Sequence, residues 1–168
     1  VYAVEEPGYG KIRKIYAAGG VQTVSAAMDD RGVLPESLGS ADVLHISPSH
    51  HFPTGIVTPV SRRRALLDWA NRGKKWIIED DYDSEFRFDA HPVPAMQSLD
   101  DGGRVIYMNS FSKSLAPSIR ISYMVLPGGL MAAFQQKLGF YSCTVPSFEQ
   151  GEPAKNEHKR HPKHDSAM

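Results

Sequence analysis

The chain has 168 residues, with 19 Lys and Arg against 19 Asp and Glu, a formal net charge of zero and 41% apolar residues. Balanced charge gives no global attraction to nucleic acid or to an anionic membrane. The apolar share suffices for one globular domain with a real core, and no apolar run reaches the roughly 18–20 residues of a membrane span. The single cysteine, Cys143, excludes an internal disulfide and fits a reducing compartment such as the cytoplasm.

In chain order, residues 1–4 read as a strand, entered without an initiator methionine, as expected of a piece of a longer protein. Residues 11–18 read as a short helix ended by Gly19-Gly20, and residues 21–24 as a second strand. Residues 43–46 form a third strand, stopped by Ser47-Pro48. A helix over residues 60–71 follows, with Leu66, Leu67 and Trp69-Ala70 on its buried side. Arg62, Arg63 and Arg64 near its first turn read as a solvated or interface-facing charge cluster, since cations sit poorly beside the positive end of a helix dipole. Residues 76–78 and 105–108 are apolar without alternation, as strands covered on both faces require. Residues 121–126 give a further strand and residues 130–138 a last helix. Trp69 and Trp76 are expected in the core and Cys143 half-buried. From Gly151 the chain is polar, with Pro153 and Pro162, and is expected to be disordered.

Strands separated by helices predict an α/β fold: a mostly parallel sheet flanked by helices. Ligands in such folds bind beyond the carboxyl ends of the strands, so the residues after each apolar run carry the most information. After Ile78 come Glu79, Asp80, Asp81, Tyr82 and Asp83. After Met108 come Asn109, Ser110, Phe111, Ser112 and Lys113. After Ile46 come Ser47, Pro48, Ser49, His50 and His51. A lysine at the mouth of an apolar sheet can lose its proton by desolvation and condense with an aldehyde. Serines with an arginine, here Ser110, Ser112 and Arg120, suit a phosphate. A carboxylate on a neighbouring strand end suits a protonated ring nitrogen. Together these describe pyridoxal phosphate. Each feature alone has a plain reading, a solvated loop for the lysine and a strand-end turn for Asp80-Asp81. The cofactor reading rests on their joint occurrence on adjacent strand ends. No phosphate-loop pattern supports Mg²⁺ at the acidic pair.

The same residues carry a family resemblance. Ser110-x-Ser112-Lys113 followed by Arg120 resembles the lysine motif of fold-type I pyridoxal-phosphate enzymes, the class I/II aminotransferase superfamily. Phe52-Pro53-Thr54-Gly55 resembles their NPTG segment, with Phe in place of Asn. EEPGY at residues 5–9, SPSHHFPTG at 47–55, IIEDDYDSEFRFD at 77–89 and YSCTVPSFEQ at 141–150 resemble the aminotransferase-like domain of MocR-type regulators, a branch of the GntR family of bacterial transcription factors. The resemblance covers residues 1–150, a partial cofactor-binding large domain, and leaves 151–168 as a tail. It implies Lys113 as the lysine holding the cofactor as a Schiff base. It implies Asp80, in preference to Asp81, at the pyridine nitrogen, and Tyr82 at the phenolic oxygen. Ser110, Ser112 and Arg120 would hold the phosphate. Tyr9 and Arg13 would lie in a segment facing the effector, and His50 beside the cofactor, with structural or solvent roles open for His50 and His51.

The implied function is an effector-sensing domain that binds a small amine or amino acid. DNA would be bound by a winged helix that this chain lacks, in a cytoplasmic protein dimeric as a whole. Two alternatives stand beside it: an aminotransferase in which Lys113 also shuttles a proton, and a truncated remnant without activity. The winged helix, the early phosphate-binding helix of the cofactor domain and the C-terminal small domain have no counterpart here. The spacing His158-x-x-His161-x-x-His164 suggests no metal site, because Pro162 breaks the helix that would align it.

Overall fold

The computed structural model describes residues 1–82, 93–110 and 121–145. The chain divides into two compact units, Val1–Ala132 and Ala133–Met168. Among the described residues of the first, seven strands form one sheet in the order β3-β2-β1-β4-β5-β6-β7. These are β1 (Tyr2–Glu6), β2 (Thr23–Asp29), β3 (Gly32–Val33), β4 (Val43–Ile46), β5 (Trp76–Asp80), β6 (Val105–Ser110) and β7 (Ser122–Val125). The inner run β2-β1-β4-β5-β6 is parallel, and the edge strands β3 and β7 are antiparallel. The expected α/β architecture with a mostly parallel sheet is present.

Alternation along the strands decides which side chains meet. Pairing aligns Ala3 with Leu44, Leu44 with Ile77, and Ile77 with Val105. All four are buried in one cluster with Leu66, Leu67 and Ala70 of α2 (Val60–Gly73). The intervening residues Val4, His45 and Ile78 face the other way. There, Tyr16 of α1 (Gly10–Ala18) meets His45. Helices therefore cover both faces, which is why β4 is buried along its whole length.

Most elements match the sequence reading to within a residue or two, and β2 is the main departure. It runs seven residues, Thr23–Asp29, where the apolar pattern marks only 21–24. Ala26 alone is buried in it, so backbone pairing with β1, without a hydrophobic stripe, defines the strand. β3 has two residues and no periodicity to read. Its turn depends on Gly32, at φ 97°, where a Cβ would lie 2.6 Å from Thr58 Oγ1. α2 ends with Lys74, not a glycine, in the left-handed conformation.

The arginine cluster requires a correction. Arg64 is exposed, but Arg63 is fully buried and Arg62 half-buried. Arg62 pairs with Asp29 at 2.7 Å and donates to the Val33 carbonyl at 2.8 Å. Arg63 donates to the carbonyls of Thr58, Pro94 and Pro48 at 2.8, 3.0 and 2.8 Å, and lies 3.6 Å from the buried Glu79. Backbone acceptors and a carboxylate outweigh the helix dipole at this position. Trp69 packs against the core, while Trp76 is half-buried with the Arg104 guanidinium 5.1 Å from its ring centre.

In the second unit, the described residues comprise the end of α3 (Gly128–Leu138) and the turn after it, where Phe140 and Tyr141 stack at 4.3 Å. Cys143 is exposed, against the half-buried position expected of it. The tail from Gly151, with its histidines, lies outside the described residues. No described helix is long and apolar enough to cross a membrane, and no described group of residues could hold a metal ion.

Candidate functional site

The chain leaves β1 toward β2 and β3, then returns to the other side of β1 as β4. That reversal is a topological switch point, where open α/β sheets bind ligands at the strands' carboxyl ends. A cavity of about 450 Å³ opens there, a volume suited to a small ligand. Glu5, Glu6, Tyr9 and Arg13 line it from β1 and the start of α1. His45, Ser47 and Phe52 line it from β4 and the following loop, and Asp80 and Tyr82 from the end of β5.

Asp80 and Asp81 are separated by strand alternation. Asp80 shares the His45 face, opens on the cavity, and has its Oδ2 3.7 Å from His45 Nε2. Asp81 turns to the opposite face and is buried, accepting a 2.9 Å hydrogen bond from the Tyr107 hydroxyl. Burial and the neighbouring Asp81 push the Tyr107 phenol up, so it stays a donor. Behind Asp80, His45 Nδ1 lies 2.6 Å from the Tyr16 hydroxyl. Burial, with Tyr2 and Asp80 nearby, pushes Tyr16 up to about 12. A neutral Tyr16 donating to Nδ1 leaves the proton on Nε2, facing Asp80. Tyr16→Phe is expected to cost about 1 kcal/mol in stability and to shift the His45 ring ¹⁵N resonances. Unchanged resonances would show that Tyr16 does not set the His45 tautomer.

Tyr82 lies at the cavity with its hydroxyl donating to the His50 carbonyl at 2.9 Å. The His50 ring is exposed, 6.4 Å from that of Tyr82. His51 is buried, with Nδ1 2.7 Å from Thr54 Oγ1. Phe52 and Tyr9 meet edge to face at 6.1 Å, both half-exposed at the cavity. Arg13 is held by Glu6 at 2.8 Å and Ser25 Oγ at 3.1 Å. Ser110 stands at the end of β6, its amide donating to Asn109 Oδ1 at 2.6 Å, and the cavity lining does not extend to it. Lys113, Ser112 and Arg120 lie outside the described residues.

The strand-end rule, applied to the first strand as well, would have found Glu5. Oε2 of Glu5 accepts the Ser47 amide at 3.1 Å. Burial pushes this carboxyl up to about 8, the Ser47 amide opposes the rise, and the negative Asp80 adds to it. His45 also had a signal, one polar residue inside an apolar run. Tyr16, on a helix with no buried residue, had none.

No family model matches the chain. It is 42% identical over 148 residues to the uncharacterized HTH-type transcriptional regulator YhdI of Bacillus subtilis, covering 87% of this chain and 32% of that protein. It is 40% identical over 135 residues to the probable rhizopine catabolism regulatory protein MocR of Rhizobium meliloti, covering 79% and 27%. The chain thus spans about a third of the length of these relatives. Among solved structures, kynurenine aminotransferase of Pyrococcus horikoshii, in complex with PMP, superimposes with a TM-score of 0.71 at 29% identity, over 82% of this chain and 38% of that one.

Proposed function

The chain belongs to the MocR-type regulators of the GntR family, as part of their aminotransferase-like domain, and we propose that it binds pyridoxal phosphate and senses a small amine or amino acid. The observation that carries this is Asp80: a carboxylate open to a switch-point cavity, with Tyr82 beside it. The described residues fit the cofactor. A carboxylate backed by His45 suits a protonated pyridine nitrogen, and a phenol within the same wall suits a ring oxygen. When bound, pyridoxal phosphate supplies an aldehyde for amines and an electron sink.

In this reading Lys113 is the amine that holds the cofactor, and Asp80 keeps the ring nitrogen protonated. His45 and Tyr16 fix the orientation of Asp80. Tyr82 donates its hydroxyl proton to an acceptor, the His50 carbonyl or the cofactor oxygen, while Ser110 and Ser112 would hold the phosphate by hydrogen bonds and Arg120 would also balance its charge. The parent polypeptide is a cytoplasmic homodimer that binds DNA through a winged helix, and effector binding changes the relation between its parts. Support comes from the relatives, which are HTH-type transcriptional regulators. The aminotransferase reading draws on the structural neighbours. Phe52 weighs against it, since a ring stands where the enzymes carry an amide donor.

The test is retention of pyridoxal phosphate by the chain through gel filtration, followed by borohydride reduction and peptide mass analysis. The pyridoxyl label is expected on the Lys113 peptide and is lost in Lys113→Ala. No retention, or equal labelling in the variant, would overturn the reading.

A further inference from the structure

Glu5 and His51 form a pair that the cofactor roles above do not use. Glu5 lines the cavity, and its Oε2 lies 3.7 Å from His51 Nε2. The His51 side chain is 1% exposed, and its Nε2 is buried without a hydrogen-bond partner. Such an atom is costly unless the facing group supplies what it lacks. The other charged and titratable groups of the wall are Glu6, Tyr9, Arg13, His45, Asp80 and Tyr82. Arg13 is the sole cation among these described wall residues, and Glu6 occupies it at 2.8 Å. Among the described wall residues, carboxyl groups therefore outnumber the cations.

We propose that Glu5 is the ammonium-binding group of this cavity, held ready by His51, and that a ligand's primary ammonium takes the place of the Glu5 proton. Without ligand, Glu5 keeps its proton and directs the O–H toward His51 Nε2, while Nδ1–H donates to Thr54 Oγ1. When the ammonium binds, the Glu5 proton leaves to solvent. His51 changes tautomer, so that Nε2–H donates to the carboxylate and the Thr54 hydroxyl donates to Nδ1. The charge balances: one cation enters and one proton departs. Burial and Asp80 push Glu5 up. Burial pushes His51 down, the Pro7 carbonyl beside the ring opposes that shift, and His50 adds to it. The inference rests on the amine-sensing reading and names the residue that would recognise the amine.

The probe is n-propylammonium, titrated into the 168-residue chain at pH 7 and pH 9 and followed by the ¹³C carboxyl shift of Glu5, assigned with Glu5→Gln, and in parent and variant alike by the ¹⁵N shifts of His51. With a Glu5 midpoint of about 8, one-tenth is ionised a unit below and nine-tenths a unit above. Affinity is therefore expected to rise about tenfold from pH 7 to pH 9, where an alkylammonium with a lysine-like pKa of about 10.4 still holds its proton. Glu5→Gln is expected to abolish this rise, and the parent's His51 ¹⁵N shifts to report the change of tautomer on binding. A Glu5 midpoint in the ordinary carboxylate range, or propylammonium affinity unchanged in Glu5→Gln, overturns the proposal. Retention of pyridoxal phosphate is scored separately. Propylammonium binding at Glu5 without cofactor retention sinks the cofactor reading alone, and the converse sinks this proposal alone.

Discussion

Replacing Arg63 by alanine is expected to lower the unfolding free energy by about 3–5 kcal/mol, a large part of the roughly 5–15 kcal/mol available to a domain. The side chain is fully buried and ties together three carbonyls from separate segments: Pro48 after β4, Thr58 before α2, and Pro94 before β6. Glu79 faces it from β5 at 3.6 Å and accepts the amides of Met96 and Gln97 at 2.8 and 2.9 Å. Without the guanidinium the Thr58 and Pro94 carbonyls lose its hydrogen bonds, the Pro48 carbonyl keeps only the Thr58 amide at 2.8 Å, and a buried carboxylate loses its counter-charge. Burial already raises Glu79 against the pull of those amides and of Arg63. Removing Arg63 raises it further, so the loss grows with pH. Urea denaturation at pH 6 and pH 8 measures this, with the exposed Arg64→Ala as control, expected within about 0.5 kcal/mol of the parent. A loss below about 1 kcal/mol for Arg63→Ala would show that the loops hold their positions without it.

The site depends on those same loops. Pro48 and Thr58 bracket the segment carrying His51 and Phe52, and Glu79 precedes Asp80. Arg63 thus reaches the cavity only through other residues. Nothing in the sequence distinguished it from Arg62 and Arg64, because three consecutive arginines look alike until helix geometry assigns each a direction. β4 was legible because burial on both faces leaves an apolar run broken only by His45, and β5 because Trp76, Ile77 and Ile78 are apolar although one of its faces is only half-buried. β2 was not, because small residues carry its pairing without a hydrophobic pattern. At the site, strand ends pointed to Asp80 and Tyr82. The Glu5–Ser47 contact joins positions 42 residues apart, and the Tyr16–His45 contact positions 29 apart. Only the parallel pairing of β1 with β4, and the packing of α1 beside it, brings those groups together.

Glu5→Gln is expected to reverse an alkaline weakness of the fold. In the unfolded chain the Glu5 carboxyl ionises near 4.5, and in the folded chain near about 8. Between these values the folded state holds a proton that the unfolded state has lost, so stability falls as pH rises. Each pH unit in the window is worth up to about 1.4 kcal/mol, giving a loss on the order of 3–5 kcal/mol by pH 8. Glutamine keeps an acceptor for the Ser47 amide and offers His51 Nε2 a donor, with no charge to bury. Parent and variant should therefore match near pH 4.5 and diverge steadily toward pH 8, the variant being the more stable. Glu79 contributes a slope of the same sign to both chains and cancels in the difference. His51, lowered by burial, contributes the opposite slope below its ordinary range, again in both chains. Denaturation midpoints from pH 4.5 to pH 9 provide the measurement. Parallel profiles would mean that Glu5 is ionised in the folded chain at neutral pH, and that the cavity wall already carries the charge that an incoming ammonium is proposed to induce.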